Sequence, residues 1–192
     1  MKIGEYAKEF WKFLKKDTWP SFAATLLIAL IIIKFIFFPL LSLLTGSALP
    51  LVIVESCSMY HHEAGFEKTF ESDVYEKNGI GIEDTISWPF QNGFTKGDVI
   101  FVIGPGDVEV GDVIIFNAGE QHPLIHRVVE VDENFATKGD NYKTNYNQLT
   151  VEKNISEDQI IGEALFRIPL VGWAKLIFFE FGRDEGERGI CS

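Results

Sequence analysis

The sequence predicts a mainly β domain behind one N-terminal transmembrane helix, and two observations carry that prediction. From Ser21 to Leu44 the chain has 24 residues with a single charge, Lys34, and about 20 apolar residues are enough to cross a bilayer as a helix. After it come short β-branched and apolar runs bounded by Gly, Pro, Asn and Asp, as in compact antiparallel β structure. We therefore expect an N-terminal segment over residues 1–18, an anchor over 19–44 and a domain over 45–192.

Two other interpretations of the apolar segment are weaker. A buried core helix is rarely apolar on every face over this length. A cleaved secretory signal would find small residues at Gly46-Ser47-Ala48, but its apolar region is typically about 7–15 residues long. The segment is therefore interpreted as an uncleaved anchor.

The lysines on either side of the segment predict its orientation. Five precede it, and the next basic residue beyond Lys34 is Lys68; the five are Lys2, Lys8, Lys12, Lys15 and Lys16. Because basic residues concentrate on the cytoplasmic side, residues 1–18 should be cytoplasmic. The chain is thus expected to be a single-pass protein of the cell membrane with its domain extracytoplasmic.

The charge of the outer region limits its partners. Residues 51–192 contain 25 acidic and 11 basic residues. This balance argues against a nucleic-acid partner and against broad electrostatic adhesion to anionic lipid.

Cys57 and Cys191 are the two cysteines of the chain. So wide a separation makes neither a disulfide framework nor a metal motif. A single disulfide between them is left open, and we interpret both as ordinary small residues.

Each β-strand is predicted from a short apolar segment of the sequence. Strands are expected at 51–54, 99–103 and 113–116, followed by a hairpin of 125–131 and 134–138. Residues 60–96 are irregular and rich in aromatic residues, so they are expected to form a long, partly helical insertion packed over the β domain.

Residues 168–182 are apolar but too short to span a bilayer. They are expected either to lie at the membrane interface or to complete the core.

Ser58 is the candidate nucleophile because it lies 14 residues beyond the apolar segment, within Ser56-Cys57-Ser58-Met59. A serine hydroxyl needs a base to take its proton, and His126 is the best placed of the four histidines because a predicted strand would hold it. Asp140 follows at the far end of the predicted hairpin, where the return of the chain would bring the two together.

Three segments in this order resemble the type I signal peptidases, specifically the archaeal and endoplasmic-reticulum type with Ser, His and Asp. They are Glu55-Ser56-Cys57-Ser58-Met59, Ile125-His126-Arg127-Val128 and Lys138-Gly139-Asp140-Asn141. The repeated Gly-Asp turns of that family are matched by Gly97-Asp98 and Gly111-Asp112, and its C-terminal segment by Ile168–Trp173. The resemblance covers about residues 20–180.

The resemblance implies a signal-peptidase-like antiparallel β catalytic domain and a role for each residue. Ser58 would attack the scissile carbonyl, His126 would act as general base, and Asp140 would orient the imidazole. The backbone N–H of Ser58 and the hydroxyl of Ser56 would bind the oxyanion. The substrates would be the signal peptides of exported preproteins, which are cut after small residues. The chain would act in contact with the lipid bilayer and would use no cofactor or metal.

The chain departs from the family pattern in three places. Cys57 replaces the glycine between the two serines, and Tyr60-His61-His62-Glu63 replaces a short turn that contains proline. Relatives often carry a second acid shortly after the Gly-Asp box, but residues 142–149 contain no Asp or Glu. That absence leaves Asp140 as the better acid.

Four further interpretations have lower priority. The chain could be a catalytically inactive scaffold that binds secreted or membrane proteins, or a Ser-Lys peptidase with Lys138 as its base. A metal at His61-His62-Glu63 is disfavoured because neighbouring side chains of a strand point to opposite faces. Asn154 begins a glycan-acceptor tripeptide, Asn154-Ile155-Ser156.

Overall fold

The computed structural model describes residues 3–62 and 65–191, together with the backbone but not the side chains of Ile3 and Glu187. Of the residues that entered the predictions, Lys2 and Glu63 lie outside the described part. The chain divides into two compact units, Met1–Leu44 and Thr45–Ser192.

The first unit is helical. Helix α1 spans Ile3–Leu14, α2 spans Trp19–Ile32 and α3 spans Phe38–Thr45, with a wider helical turn at Ile33–Phe37 joining the last two. Pro20, in the first turn of α2, fits there because the first N–H groups of a helix have no intrahelical partner. Trp19–Thr45 is one continuous helix, long and apolar enough to span a membrane.

The second unit is built on one antiparallel sheet of six strands in the order β1-β2-β6-β3-β4-β5. The strands are Leu51–Ile53, Val99–Ile103, Val113–Phe116, Leu124–Val131, Phe135–Lys138 and Ile160–Ile168, numbered β1 to β6. The antiparallel β prediction is therefore confirmed for the sheet. The description "mainly β" holds only in part, because helical residues outnumber strand residues over the chain.

Both faces of the sheet are covered at β3, which explains why this central strand is apolar without alternation. All four residues of β3 are buried. On one face Val113, Ile115 and Ile125 pack with Met59 and Phe94. The other face has its own cluster, formed by Val108, Ile114, Phe116, Val128, Ile155 and Ile160. The loop that carries Met59 is thereby fixed to the core.

Residues 60–96 fold as two short 3₁₀ turns, Phe66–Glu71 and Ile82–Ser87, and one short helix, α4, at Asp73–Lys77. Its aromatic residues face the sheet: Tyr75 and Trp88 are buried against Val129 and Ala136. This packing brings the insertion against β4 and β5.

The segment after β6 is partly docked and partly exposed. Trp173 and Leu176 belong to helix α5, Trp173–Leu176; Trp173 donates a hydrogen bond from Nε1 to the carbonyl of Lys96 at 2.9 Å, and Leu176 is buried. Six large apolar side chains nearby are exposed: Leu170, Val171, Ile177, Phe178, Phe179 and Phe181. The segment thus completes part of the core and also presents an apolar surface.

Candidate functional site

Ser58 lies in the turn that follows β1. Its side chain is half-buried, and its Oγ lies 3.2 Å from the Oγ of Ser56, which is exposed. The next residue, Met59, is fully buried, so the turn changes direction from the surface into the core within one residue.

The Ser58 turn is held by the Gly139–Asn141 segment. The backbone N–H of Asn141 donates to the carbonyl of Ser58 at 2.8 Å, and its side-chain amide donates to the carbonyl of Cys57 at 2.7 Å. A Cβ at Gly139 would lie 2.8 Å from the Ser58 carbonyl oxygen, so only glycine permits this approach. The two predicted motifs are therefore packed against each other through their backbones.

His126 lies on β4 opposite Ile114 of β3 and is 2 % exposed. Its Nδ1 is in contact with Oε1 of Glu152, which is fully buried. The other carboxylate oxygen of Glu152 accepts the backbone N–H of Leu149 at 2.5 Å, which fixes the carboxylate on its own turn, Thr150–Glu152. Glu152 is therefore the acid that faces the imidazole.

Asp140 does not orient His126, and this corrects the sequence prediction. Its carboxylate accepts hydrogen bonds from Nε and Nη2 of Arg127 at 3.0 and 2.7 Å, and it pairs with Nε2 of His61 at 3.0 Å. The physical reason is the alternation of side chains along β4: Arg127 follows His126 and projects from the opposite face. Asp140 lies on the Arg127 side.

The pKa of Asp140 reflects this environment. Complete burial would raise it, but the charge of Arg127 and the hydrogen bonds from His61 and Arg127 outweigh burial and hold the pKa below its usual value. Asp140 is therefore an ionised partner of a buried cation.

Arg127 connects the insertion to the sheet. It is fully buried and also donates to the carbonyls of Pro89 at 2.8 Å and Gly111 at 2.7 Å. Its guanidinium lies 4.9 Å from the centre of the Phe66 ring, at cation–π distance. The Arg127–Asp140 pair is thus the polar centre about which residues 60–96 pack.

The residues predicted as a triad form two groups. Ser58 opens to a cleft of about 460 Å³, whose lining includes Ser56 and His62. Within the described ranges, no hydrogen bond joins Ser58 to His126, and His126 does not line this cleft.

His62 is the histidine that shares the cleft with Ser58. Its Nε2 lies 3.1 Å from Oδ1 of Asn141, and its ring makes edge contacts with Tyr60 and Tyr142. It is a second candidate base, held by a neutral amide rather than by a carboxylate.

Cys57 and Cys191 form a disulfide, so the interpretation of both as ordinary small residues is wrong. The bond ties residues 183–191, here called the C-terminal strap, to the position next to Ser58. Arg183 reinforces the attachment by donating to the carbonyl of Glu55 at 3.2 Å and to its carboxylate at 2.6 Å. The strap forms one wall of the cleft.

Lys138 is buried and donates from Nζ to the carbonyl of Gly139 at 2.9 Å. Burial lowers its pKa to about 8, although the charges of Asp140 and Glu152 act in the opposite direction. A lysine in this condition can hold or release a proton near neutral pH, which is the property the Ser-Lys interpretation needs.

Two functional candidates escaped the sequence analysis. Glu152 lies three residues beyond the stretch 142–149 in which a second acid was sought. Arg127 was noted only as part of a motif, although a charged residue inside an apolar strand is itself a sign of a buried partner. No described residues form a cluster of three or more His, Cys, Asp or Glu suited to a metal ion.

Comparison with known proteins does not assign the chain to a family. No protein-family model matches the chain, and no curated protein matches it.

Proposed function

We propose that the chain is a membrane-anchored serine endopeptidase that removes signal peptides from exported preproteins, cutting after small residues. The observation that carries the proposal is the buried His126–Glu152 pair, in the same unit as a serine that opens to a cleft. Histidine fixed by a buried carboxylate is the arrangement that serine hydrolases use to activate a hydroxyl.

The mechanism assigns one task to each group. With Nδ1 facing Glu152, the proton of Ser58 goes to Nε2 of His126 as Oγ attacks the scissile carbonyl. The imidazolium is stabilised by Glu152 and then protonates the leaving amine, and water hydrolyses the acyl-enzyme by the reverse sequence. The backbone N–H of Ser58 and the hydroxyl of Ser56 would bind the oxyanion, where losing one donor typically costs about 10²–10³ in kcat.

This mechanism requires a hydrogen bond between Oγ of Ser58 and Nε2 of His126, and none joins the two side chains among the described residues. Catalytic hydrogen bonds often tighten only when substrate is bound. Asn141 holds the turn through the carbonyl oxygens of Cys57 and Ser58, and neither of these hydrogen bonds uses the Ser58 hydroxyl.

Three features support an extracytoplasmic domain behind a cytoplasmic N-terminus. The lysines concentrate before the apolar helix. The Cys57–Cys191 disulfide suits an oxidising compartment. The exposed apolar side chains around α5 suit contact with the interfacial region of a bilayer. Protease added to sealed, right-side-out vesicles should reach the domain and spare α1.

The test uses purified full-length chain in detergent and a preprotein with Ala-x-Ala before its mature start. Four proteins are compared: wild type, Ser58→Ala, His126→Asn and His62→Asn. Products are mapped by mass spectrometry, and folding is checked by circular dichroism. Wild type and His62→Asn should cut after the final alanine, whereas Ser58→Ala and His126→Asn should not. Full activity in Ser58→Ala would refute the mechanism, and activity lost in His62→Asn alone would move the base to His62.

A second candidate, a catalytically inactive scaffold, is favoured by one observation. In the described part of the chain Ser58 and His126 share no hydrogen bond, and the strap forms one wall of the cleft. Binding of the preprotein without turnover, by wild type and Ser58→Ala alike, would support the scaffold.

The Ser-Lys candidate is favoured by the lowered pKa of Lys138. It predicts that Lys138→Met loses activity while His126→Asn keeps it.

A further inference from the structure

The cleft beside Ser58 has a charge opposite to that of the domain around it. Four of the 11 basic residues in 51–192 line it, but only one of the 25 acidic residues among those described; the basic ones are Lys96, Lys143, Arg183 and Arg188, and the acidic one is Glu55. In so acidic a domain, this concentration makes the cleft an isolated electropositive site.

Two of these cations are neutralised by neighbouring acids. Lys96 pairs with Glu180 at 2.7 Å, and Arg183 pairs with Glu55 at 2.6 Å. Burial alone would raise the pKa of Glu55, but Lys175 and Arg183 hold it below its usual value, so Glu55 stays ionised. These pairs contribute to the walls rather than to net charge.

The other two cations, Arg188 and Lys143, are not neutralised by an acid among the described residues. Arg188 donates only to backbone carbonyls, those of Arg183 at 2.8 Å and Phe181 at 3.2 Å. Neither Arg188 nor Lys143 lies within ion-pair distance of an acid in the described part of the chain. Lys143 comes from the segment after the Gly-Asp box and Arg188 from the strap, so two separate segments direct positive charge into the space beside Ser58.

The disulfide fixes one of these charges in place. Cys191 is bonded to Cys57, the residue before Ser58, and Arg188 is three residues from Cys191. The strap is held further by Gly189, whose N–H donates to Glu180 at 2.7 Å. The disulfide therefore helps to hold Arg188 in the wall of the cleft that Ser58 also lines.

We infer that Lys143 and Arg188 select polypeptides with an acidic side chain close to the residue that Ser58 engages. The inference rests on the proposed function, since it names a substrate preference of that same site. A carboxylate entering the cleft would meet two cations that have no acidic partner among the described residues, whereas a basic side chain would be repelled. Partly solvated pairs of this kind should favour a glutamate substrate over its glutamine counterpart by about three- to tenfold.

The test measures kcat/KM for pairs of peptides that differ only by Glu or Gln, placed in turn at three positions on each side of the cut. Wild type should prefer Glu at one or more positions, and the preference should shrink with added salt because such charges are screened. Lys143→Gln and Arg188→Gln should each reduce the Glu/Gln ratio, and the double variant should bring it to about one. Lys153→Gln, at an exposed lysine outside the cleft, should keep the wild-type ratio.

The outcomes separate this inference from the proposed function. Cleavage with equal rates for Glu and Gln, or a preference that survives in the double variant, would overturn the charge selection and leave the peptidase standing. If no peptide is cut, the peptidase proposal fails, and the same pairs are compared by fluorescence anisotropy. Tighter binding of Glu peptides that is lost in the double variant would uphold the selection, and equal binding would overturn it.

Discussion

Nδ1 of His126 and Oε1 of Glu152 meet in the interior of the domain, and neither atom has another hydrogen-bond partner among the described residues. The two residues come from β4 and from the short turn Thr150–Glu152. A buried carboxylate with one oxygen held by the Leu149 N–H and the other on an imidazole fixes both the position and the tautomer of the ring.

Replacing Glu152 by glutamine should therefore reduce catalysis without unfolding the domain. Glutamine keeps the size of the side chain but cannot stabilise an imidazolium, and the expected loss in kcat is about 10³–10⁴-fold. Steady-state kinetics on the preprotein measures it. Glu157→Gln, at an exposed acid on the next turn, is the matched control. Activity of Glu152→Gln within about threefold of wild type would exclude Glu152 from the mechanism.

Replacing Asp140 by asparagine should mainly reduce stability. The change leaves Arg127 buried without a counter-charge, and breaking such a pair typically costs about 3–5 kcal/mol. Urea unfolding at pH 7 measures the free energy of unfolding, with Asp158→Asn at an exposed position as control. A loss below about 1 kcal/mol would mean that the other contacts of Arg127 suffice.

The contribution of Asp140 should also depend on pH. The pKa of its carboxyl is lowered by folding, whereas the unfolded chain has the ordinary value of about 3.9. The stabilisation is therefore fully present above about pH 3.9 and is lost as the pH falls through the lower folded value. The difference in unfolding free energy between wild type and Asp140→Asn should shrink with acidification over that range, and a constant difference would contradict the assignment.

Lys138 should also make the free energy of unfolding rise with pH, but in the alkaline range. Its pKa is about 8 in the folded chain and about 10.4 when unfolded, so a protonated Lys138 opposes folding below pH 8. Relative to Lys138→Met, wild type should gain about 2–3 kcal/mol of unfolding free energy between pH 7.5 and pH 10.5. Denaturant unfolding across this range measures it. Lys153→Met, at an exposed lysine, should run parallel to wild type, and the same parallel behaviour in Lys138→Met would refute the shift.

Removing the Cys57–Cys191 bond should destabilise the second unit, Thr45–Ser192. The bond closes a loop across 134 residues of sequence separation, and loss of a native disulfide typically costs about 2–5 kcal/mol. The double variant Cys57→Ser, Cys191→Ser should therefore have a lower Tm than wild type by differential scanning calorimetry. Reductant should lower the Tm of wild type and leave the double variant unchanged. Equal response of both proteins to reductant would show that the effect lies elsewhere.

The sheet was predictable where its strands are β-branched and bounded by turns. Val99–Ile103 and Val113–Phe116 coincide with the predicted runs. The strand between them in the sheet, Ile160–Ile168, was missed because Gly162 and Glu163 interrupt its apolar pattern. Close packing requires glycine at position 162, because a Cβ there would collide with the carbonyl oxygen of Ile103 on the neighbouring strand.

The sequence pointed to a candidate nucleophile and a candidate base, but not to the acid that faces the imidazole in the structure. Short-range motifs identified Ser58 and His126, but which acid meets the imidazole depends on how Thr150–Glu152 returns to the sheet. The alternation of side chains along β4 was a partial signal. His126 and Arg127 project from opposite faces of the strand, so one carboxylate does not contact both. The disulfide was not predictable for a similar reason, since its two cysteines are separated by 134 positions in the sequence.

The bond between Cys57 and Cys191 also closes residues 57–191 of the second unit into a covalent ring. That ring contains five of the six strands together with Ser58, His126, Asp140 and Glu152. A protease that opens one peptide bond anywhere between Ser58 and Ile190 therefore releases no fragment. It leaves two polypeptides joined by the Cys57–Cys191 bond, with new ends at the cut and the candidate site still within one molecule. Such a nick is visible only when the disulfide is reduced before electrophoresis.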